Sequence, residues 1–212
     1  MVKNEDLLTE LLNIDVFKVG NFNLKTGGAS PIYIDLRHVI AYPKIARKIV
    51  GSIKSKVDEL NITMDLVCGV PYTSLPTASV YSVLHDIPLI MKRKEAKSYG
   101  TMKLLEGIYK QGDRCLIIED VVVSGSSIIE TARVLRKEGL IVTDCIAVLD
   151  RNQGGKVNLP KEGIRYHPLF EVCDMFEKYC DLKEVDDALI SKVKEYLSDN
   201  NYVPLNPKQC PV

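Results

Sequence analysis

The chain has 212 residues, of which 46% are hydrophobic and 26% charged, a composition typical of one globular domain with a sizeable core. Its 28 lysine and arginine residues balance its 28 aspartate and glutamate residues, so no overall field attracts nucleic acid or an anionic membrane. No apolar run approaches the ~20 residues of a membrane span, and the N-terminus does not resemble a signal peptide. The 6 cysteines include no C-x-x-C pair, which indicates reduced thiols in a cytoplasmic protein and not a disulfide frame or a zinc site.

The first forty residues predict one helix and two short strands. Asn4 can cap a helix whose apolar face includes Leu7 and Leu11. Alternating side chains predict a strand at 21–25 and a second strand at 32–35, on either side of a turn with two adjacent glycines.

The central part of the chain alternates between strands and helices. Apolar residues at helical spacing predict a helix at 43–60, followed by a buried strand at 66–70. A further helix ends near His85 and precedes a strand at 87–91, and a later apolar run predicts a strand at 140–149. This alternation implies an α/β fold whose parallel sheet is covered on both faces.

The most informative stretch begins with an apolar run at 115–118, which is typical of a strand buried on both faces. We expect Glu119 and Asp120 to lie where this strand ends. A turn of small residues at 124–127 precedes a helical pattern that begins with Ile128, and the backbone N–H groups of such a turn can bind an anion. Carboxylates accept hydrogen bonds from hydroxyls, so a sugar phosphate would suit both features. The alternative is an ordinary strand-to-helix turn with two solvated acids.

A basic segment at 92–103 has no steady apolar period and contains five basic residues and one acidic residue. One interpretation is a solvated loop. The other is a lid that carries positive charge to a polyanionic substrate, since long loops in compact domains often cover active sites.

Four polar residues directly follow predicted strands: Tyr72, Glu119, Asp120 and Arg151. In open α/β sheets, ligands bind outside the carboxyl ends of the strands. We therefore expect these four residues to share one edge of the sheet.

Motifs along the chain resemble the orotate phosphoribosyltransferases, a subfamily of the type I phosphoribosyltransferases. They are FNLKTG at 22–27 with SPIYIDLR at 30–37, CGVPYT at 68–73, RKEAK at 93–97, IIEDVVVSGSS at 117–127 and DRNQGGK at 150–156. The similarity extends from about residue 7 to about residue 198 and is greatest to the first domain of animal uridine 5′-monophosphate synthases.

The resemblance implies the type I phosphoribosyltransferase fold, with a central, mainly parallel sheet flanked by helices. It also implies one domain at 1–198, with a small N-terminal hood near 1–40 and a flexible basic lid loop at 92–107. Helical spacing predicts a last helix near 182–198. We expect 199–212 to be a loose tail or the start of a linker, in a chain that is either free-standing or part of a bifunctional protein.

The reaction implied by the resemblance transfers the phosphoribosyl group of phosphoribosyl pyrophosphate (PRPP) to orotate. Its products are orotidine 5′-monophosphate and pyrophosphate, in the de novo synthesis of UMP. The family also implies Mg²⁺ held mainly through the pyrophosphate of PRPP without direct protein ligands, and a homodimer with shared active sites. A fused orotidine 5′-monophosphate decarboxylase domain is compatible with the resemblance.

Matching the motifs position by position assigns the site residues. The implied catalytic residues are Lys97, Glu119 and Asp120. The implied PRPP-binding residues are Lys25, Tyr72, Thr73, Arg93, Lys94, Lys97, Tyr99, Glu119, Asp120, Val121, Val122, Val123, Ser124, Gly125, Ser126 and Ser127. The implied orotate-binding residues are Lys25, Tyr33, Ile34, Val123 and Arg151.

One departure from the family pattern lies at Val123, where a threonine is usual beside orotate. The lost hydroxyl weakens orotate binding by ~0.5–1.5 kcal/mol if one net hydrogen bond is missing. Two alternatives stay open: a phosphoribosyltransferase for another base, and a PRPP-binding regulator without catalysis. Lys25 and Arg151 argue against the first, and the presence of Lys97 argues against the second.

Overall fold

The computed structural model describes residues 4–23, 29–93 and 104–199. The helices are α1 (Asn4–Asn13), α2 (Pro43–Glu59), α3 (Leu75–His85), α4 (Ser126–Lys137), α5 (Gly155–Lys161), α6 (Val172–Leu182) and α7 (Asp187–Asp199). The strands are β1 (Phe17–Asn23), β2 (Ala29–Ile34), β3 (Leu66–Gly69), β4 (Leu89–Lys92), β5 (Leu105–Glu106), β6 (Cys115–Val122), β7 (Asp144–Asp150) and β8 (Arg165–Glu171). Within these ranges, no helix is long and apolar enough to cross a membrane.

A six-stranded sheet forms the centre of the molecule, in the order β5-β4-β3-β6-β7-β8. All neighbouring pairs are parallel except β4 and β5, which are antiparallel. Successive residues of β6 enter opposite cores: Leu116 and Ile118 pack on the side of α2 and α6, and Cys115 and Ile117 pack on the side of α4. The predicted α/β fold, with a mainly parallel sheet flanked by helices, is confirmed.

The first two strands form a separate antiparallel sheet, in which Phe17 pairs with Ile34 and Asn23 pairs with Ala29. The first strand begins at Phe17, four residues before the predicted start. Phe17 is fully buried and its ring packs edge-on against Tyr179 of α6, so tertiary packing extends the strand at this end.

Two predicted strand limits on the central sheet are wrong. β6 does not end before Glu119, because its pairing with β7 continues to Val122 opposite Asp150. β7 begins at Asp144 and not at residue 140, although Leu140 and Val142 of the preceding segment are buried. The connecting segment is apolar because Leu140 and Val142 are buried, and an apolar sequence of this kind resembles a strand.

The last third of the structure contains elements that the sequence analysis did not identify: α5, β8 and α6. β8 is one of the two edge strands of the sheet, is mostly half-buried and contains Pro168. A proline is tolerated on an edge strand because one side needs no ladder hydrogen bond. The predicted last helix near 182–198 corresponds to α7, which begins later, at Asp187, because α6 ends at Leu182.

Candidate active site

The loops that follow β3, β6 and β7 meet at one edge of the sheet. Val70 donates its N–H to the carbonyl of Ile118 at 3.0 Å, which joins the loop after β3 to β6. Arg151 donates its N–H to the carbonyl of Val122 at 2.9 Å, which joins the loop after β7 to the end of β6. The structure therefore places Tyr72, the acidic pair and Arg151 at a common edge.

A small cavity of about 170 Å³ opens at the junction of β6 and α4, and its lining runs from Glu119 and Val121 through Ile128. Gly125 has a positive φ of 84°, and a Cβ at this position would lie 2.9 Å from Cγ of Leu159. The Asn158 side chain donates to the carbonyl of Ser124 at 2.9 Å and so holds the turn in place. Since the first N–H groups of a helix have no intrahelical acceptors, the cavity is suited to an anion.

Glu119 lines this cavity, and both acids of the pair are joined to Ser74, which follows the loop after β3. Glu119 is 6% exposed, and its Oε1 accepts from the Ser74 hydroxyl at 2.6 Å and from the Asp120 N–H at 2.9 Å. Burial raises the pKa of Glu119 well above its usual value and the Asp120 carboxyl raises it further, whereas the bond from Ser74 lowers it. Two adjacent acids, one buried and one half-buried, can accept hydrogen bonds from ligand hydroxyls.

The loop after β7 holds Arg151 with unused hydrogen-bonding capacity. The Arg151 Nη2 donates to the Tyr196 hydroxyl on α7 at 3.4 Å, while its buried Nε has no hydrogen-bond partner among the described residues. Burial lowers the pKa of Arg151. Asn152 donates through Nδ2 to Glu171 at 2.9 Å, which fixes the loop to the end of β8. A buried guanidinium with an unused N–H donor is suited to bind a planar anion such as a carboxylate.

The ends of the predicted lid lie in regular structure. Lys92 is 6% exposed and pairs with Glu130 of α4, and it lies opposite Leu105 in the antiparallel pair of β4 and β5. Arg93 donates its N–H to the carbonyl of Leu104 at 2.8 Å, and its Nη1 lies 3.0 Å from Oε1 of Glu106. Residues 93 and 104 are therefore neighbours at the base of the basic segment.

Some predicted site residues lie outside the described part of the chain: Lys25, Lys94, Lys97 and Tyr99. Tyr33 and Ile34 lie on β2, where Tyr33 pairs with Lys18 and its hydroxyl accepts from Arg37 at 3.0 Å. α7 packs against β2 and carries Tyr196, so it connects this strand with Arg151. Tyr72 and Thr73 lie in the loop after β3, and the Tyr72 side chain is 62% exposed.

Sequence reasoning missed three residues that support this site: Ser74, Asn158 and Tyr196. Ser74 immediately follows the CGVPYT motif and could have been found as a further polar residue after β3. Asn158 and Tyr196 are distant in sequence from the residues that they contact, Ser124 and Arg151. No local sequence pattern therefore links them to the site. Among the described residues, no group of three or more His, Cys, Asp and Glu side chains is suited to hold a metal ion.

Comparison with known proteins gives consistent matches. Residues 38–165 match the phosphoribosyl transferase domain family. The chain is 46% identical to uridine 5′-monophosphate synthase of Bos taurus over 95% of this chain and 42% of that protein. It is 41% identical to orotate phosphoribosyltransferase of Caenorhabditis elegans over 90% of this chain and 80% of that protein.

The fold is shared with solved structures. The UMP synthase of Leishmania donovani superposes with a TM-score of 0.83 and 32% identity, over 93% of this chain and 42% of that one. The chain thus spans less than half the length of the synthases that it matches. The resemblance to orotate phosphoribosyltransferases is confirmed, and the chain belongs to the phosphoribosyltransferase family.

Proposed function

We propose that this chain transfers the phosphoribosyl group of PRPP to orotate, releasing pyrophosphate and forming orotidine 5′-monophosphate for UMP synthesis in the cytoplasm. The observation that carries the proposal is the convergence of the anion cavity, the acidic pair and Arg151 at one edge of the sheet. The Caenorhabditis elegans relative is named for the same reaction.

The 5′-phosphate of PRPP would bind in the cavity between β6 and α4. Residues Val123 to Ser127 line this cavity and would donate their backbone N–H groups to the phosphate, and the positive end of the α4 dipole favours a dianion. Val121 and Val122 complete the strand that holds the turn in place. The glycine at position 125 is required because a side chain would collide with Leu159.

The acidic pair would bind the ribose hydroxyls of PRPP. As the bond from C1′ to pyrophosphate lengthens, positive charge develops on the ribose ring. Carboxylates of Glu119 and Asp120 held beside the ring stabilise that charge, and they do so more strongly in a buried site than in water. Their catalytic role is therefore electrostatic.

Orotate would bind through its carboxylate to Arg151. The unpaired, buried Nε of Arg151 supports this assignment, because an arginine fork binds a planar carboxylate through two parallel hydrogen bonds. Lys25 and the backbone of Tyr33 and Ile34 would hold the pyrimidine from the side of β2, and Val123 would contact its face next to the cavity.

Pyrophosphate would leave between the loop after β3 and the basic lid. Tyr72 and Thr73 lie in the loop after β3, and Arg93, Lys94, Lys97 and Tyr99 would close over the pyrophosphate, with Lys97 as the catalytic cation. Mg²⁺ is usually bound through phosphates, water and one or two carboxylates, so an ion held mainly through PRPP needs no cluster of protein ligands. Held there, Mg²⁺ would supply positive charge beside the pyrophosphate.

An apolar groove of about 690 Å³ beside Tyr72 and Thr73 would be the surface for a second copy of this chain. Its lining includes Ile40, which is 69% exposed, and Val83, which is 77% exposed. Because the groove adjoins the loop after β3, which would contact the pyrophosphate, a dimer across the groove would bring each lid near the partner's site. Sedimentation equilibrium should give twice the chain mass, and a monomer mass at micromolar concentration would contradict the dimer.

The decarboxylase domain would belong to the longer synthases that this chain matches.

The proposed function is tested by following pyrophosphate release with PRPP, Mg²⁺ and one base at a time. We expect release with orotate and not with uracil, hypoxanthine or adenine. Release with another base would contradict the assignment of Arg151 and β2 to orotate. Calorimetric binding of PRPP without release for any base would indicate a PRPP-binding regulator instead.

A further inference from the structure

Ser74 lies between the two loops that form the proposed substrate site. It is fully buried and follows the loop that carries Tyr72 and Thr73. Its hydroxyl lies 2.6 Å from Oε1 of Glu119 and 3.3 Å from Oδ1 of Asp120, both on β6. It therefore joins the pyrophosphate side of the site to the ribose side.

The position of Ser74 is fixed by its backbone. Its carbonyl accepts from the N–H of Ala78 at 2.9 Å, in the first turn of α3. A Cβ on Gly69 would lie 2.9 Å from the same carbonyl, so β3 and this turn are in close contact. The hydroxyl is not used to cap α3, since no capping hydrogen bond from this side chain is present. Loss of the hydroxyl should leave the helix intact.

The direction of the hydrogen bonds follows from the donors. The N–H of Asp120 donates to Oγ of Ser74 at 2.9 Å, so Oγ is an acceptor on that side. The single hydroxyl proton is then available for a carboxylate, and the shorter distance directs it to Glu119. Oε1 of Glu119 thus receives two hydrogen bonds, from Ser74 and from the Asp120 N–H.

We propose that Ser74 is a positioning residue, which orients the Glu119 carboxylate and keeps it ready to accept the ribose hydroxyls of PRPP. The inference rests on the proposed function for the identity of the ligand. Its structural basis is the fully buried hydroxyl that connects α3 to β6.

The electrostatic surroundings of Glu119 explain why this hydroxyl matters. Burial and the neighbouring Asp120 raise the pKa of Glu119, and the thiol of Cys145 on β7 and the phenol of Tyr166 on β8 face the same region. Both of these groups have raised pKa values and are neutral near pH 7. Hydrogen bonds from Ser74 and from the backbone of Asp120 oppose the shift in Glu119. Without Ser74, the protonated form of Glu119 should persist to higher pH.

The test compares Ser74→Ala with Ser74→Thr, which keeps a hydroxyl, and with Ser82→Ala on the same helix as a control. In Ser74→Ala we expect the acidic limb of kcat/KM for PRPP to move up by about one pH unit. The carboxyl carbon of Glu119, followed by NMR in the ligand-free protein, should titrate higher by the same amount. Ser82→Ala should match the unmodified protein in both measurements.

The Ser74→Thr variant distinguishes a loss of Glu119 positioning from a loss of folding. Ser74→Thr should return the pH profile toward that of the unmodified protein, and all variants should show a cooperative thermal transition. An unchanged Glu119 titration and an unchanged profile in Ser74→Ala would overturn the proposal. So would a folded Ser74→Thr with the same shift as Ser74→Ala. If the unmodified protein does not use orotate, the proposed function fails, and the NMR titration still decides the role of Ser74.

Discussion

β7 begins and ends with a buried aspartate, Asp144 and Asp150. The surroundings of the two carboxyl groups shift their pKa values in opposite directions. At the amino end, Asp144 is 3% exposed and accepts hydrogen bonds from Arg165 at 2.8 Å and Thr143 at 2.8 Å, with His167 at 3.1 Å. Burial alone would raise its pKa, but these partners outweigh burial and lower it.

At the carboxyl end of the same strand, Asp150 is fully buried, and its Oδ2 has no hydrogen-bond partner among the described residues. Burial raises its pKa. Glu119, on the neighbouring strand β6, shows the same direction of shift. The comparison shows that hydrogen-bond partners outweigh burial for the carboxyl group at the amino edge, whereas burial outweighs them at the carboxyl edge, which we propose binds the substrates.

The largest effect that would sharpen this comparison is expected for Glu119→Gln. Glutamine keeps the shape and the bond from Ser74 but removes the negative charge, so turnover should fall by about 100-fold. The free energy of unfolding should not fall, since an unfavourably buried carboxylate is removed. Steady-state kinetics and urea unfolding measure the two quantities. A large loss of stability with normal turnover would mean that Glu119 stabilises the fold, as Asp144 does, and has no catalytic role.

A second change at the carboxyl edge is Arg151→Lys. Lysine keeps the charge but cannot form two parallel hydrogen bonds with a carboxylate, so KM for orotate should rise by about tenfold. Affinity for PRPP, measured by calorimetry, should stay the same. An equal loss of affinity for both substrates would show that Arg151 does not distinguish them.

At the amino edge, Asp144→Asn should reduce the free energy of unfolding by about 1–2 kcal/mol, because Arg165 is largely exposed and its pairing is screened by water. Turnover per folded molecule should stay unchanged. The folded pKa of Asp144 lies below the unfolded value of about 3.9, so its stabilisation is present above pH 4 and lost as the pH falls through the folded pKa. Urea unfolding below pH 4 should therefore show a smaller difference between the two proteins. A constant difference down to pH 2 would contradict this.

The smallest effect is expected for Val123→Thr, which restores one hydroxyl beside the proposed orotate site. A gained hydrogen bond of ~0.5–1.5 kcal/mol lowers KM for orotate by a few-fold. Val123→Ala serves as the control for packing. An unchanged or higher KM in the threonine variant would mean that the hydroxyl is not what limits affinity.

The sequence predicted the parts of this site that depend on local patterns. The apolar run before Glu119, the small residues of the turn at 124–127 and the spacing of α2 each follow from nearest neighbours along the chain. The common edge followed from the rule that parallel strands end together. These parts required no knowledge of distant contacts.

The parts that could not be predicted depend on tertiary pairing. β6 continues through Asp120 because β7 offers a ladder partner, and β8 tolerates Pro168 because it is an edge strand. The contact of Tyr196 with Arg151 joins residues 45 positions apart. The compensation of Asp144 likewise needs Arg165 and His167 from a neighbouring strand that had not been identified.

In the proposed function, the carboxyl edge of the sheet carries out phosphoribosyl transfer to orotate. The most direct measurement is the decrease in orotate absorbance with PRPP and Mg²⁺, in the unmodified protein and in Glu119→Gln. We predict a decrease with one pyrophosphate released per orotate consumed, and a rate about 100-fold lower in the variant. No decrease in the unmodified protein would rule out orotate as the substrate, and the same rate in both proteins would rule out a catalytic role for the Glu119 carboxylate.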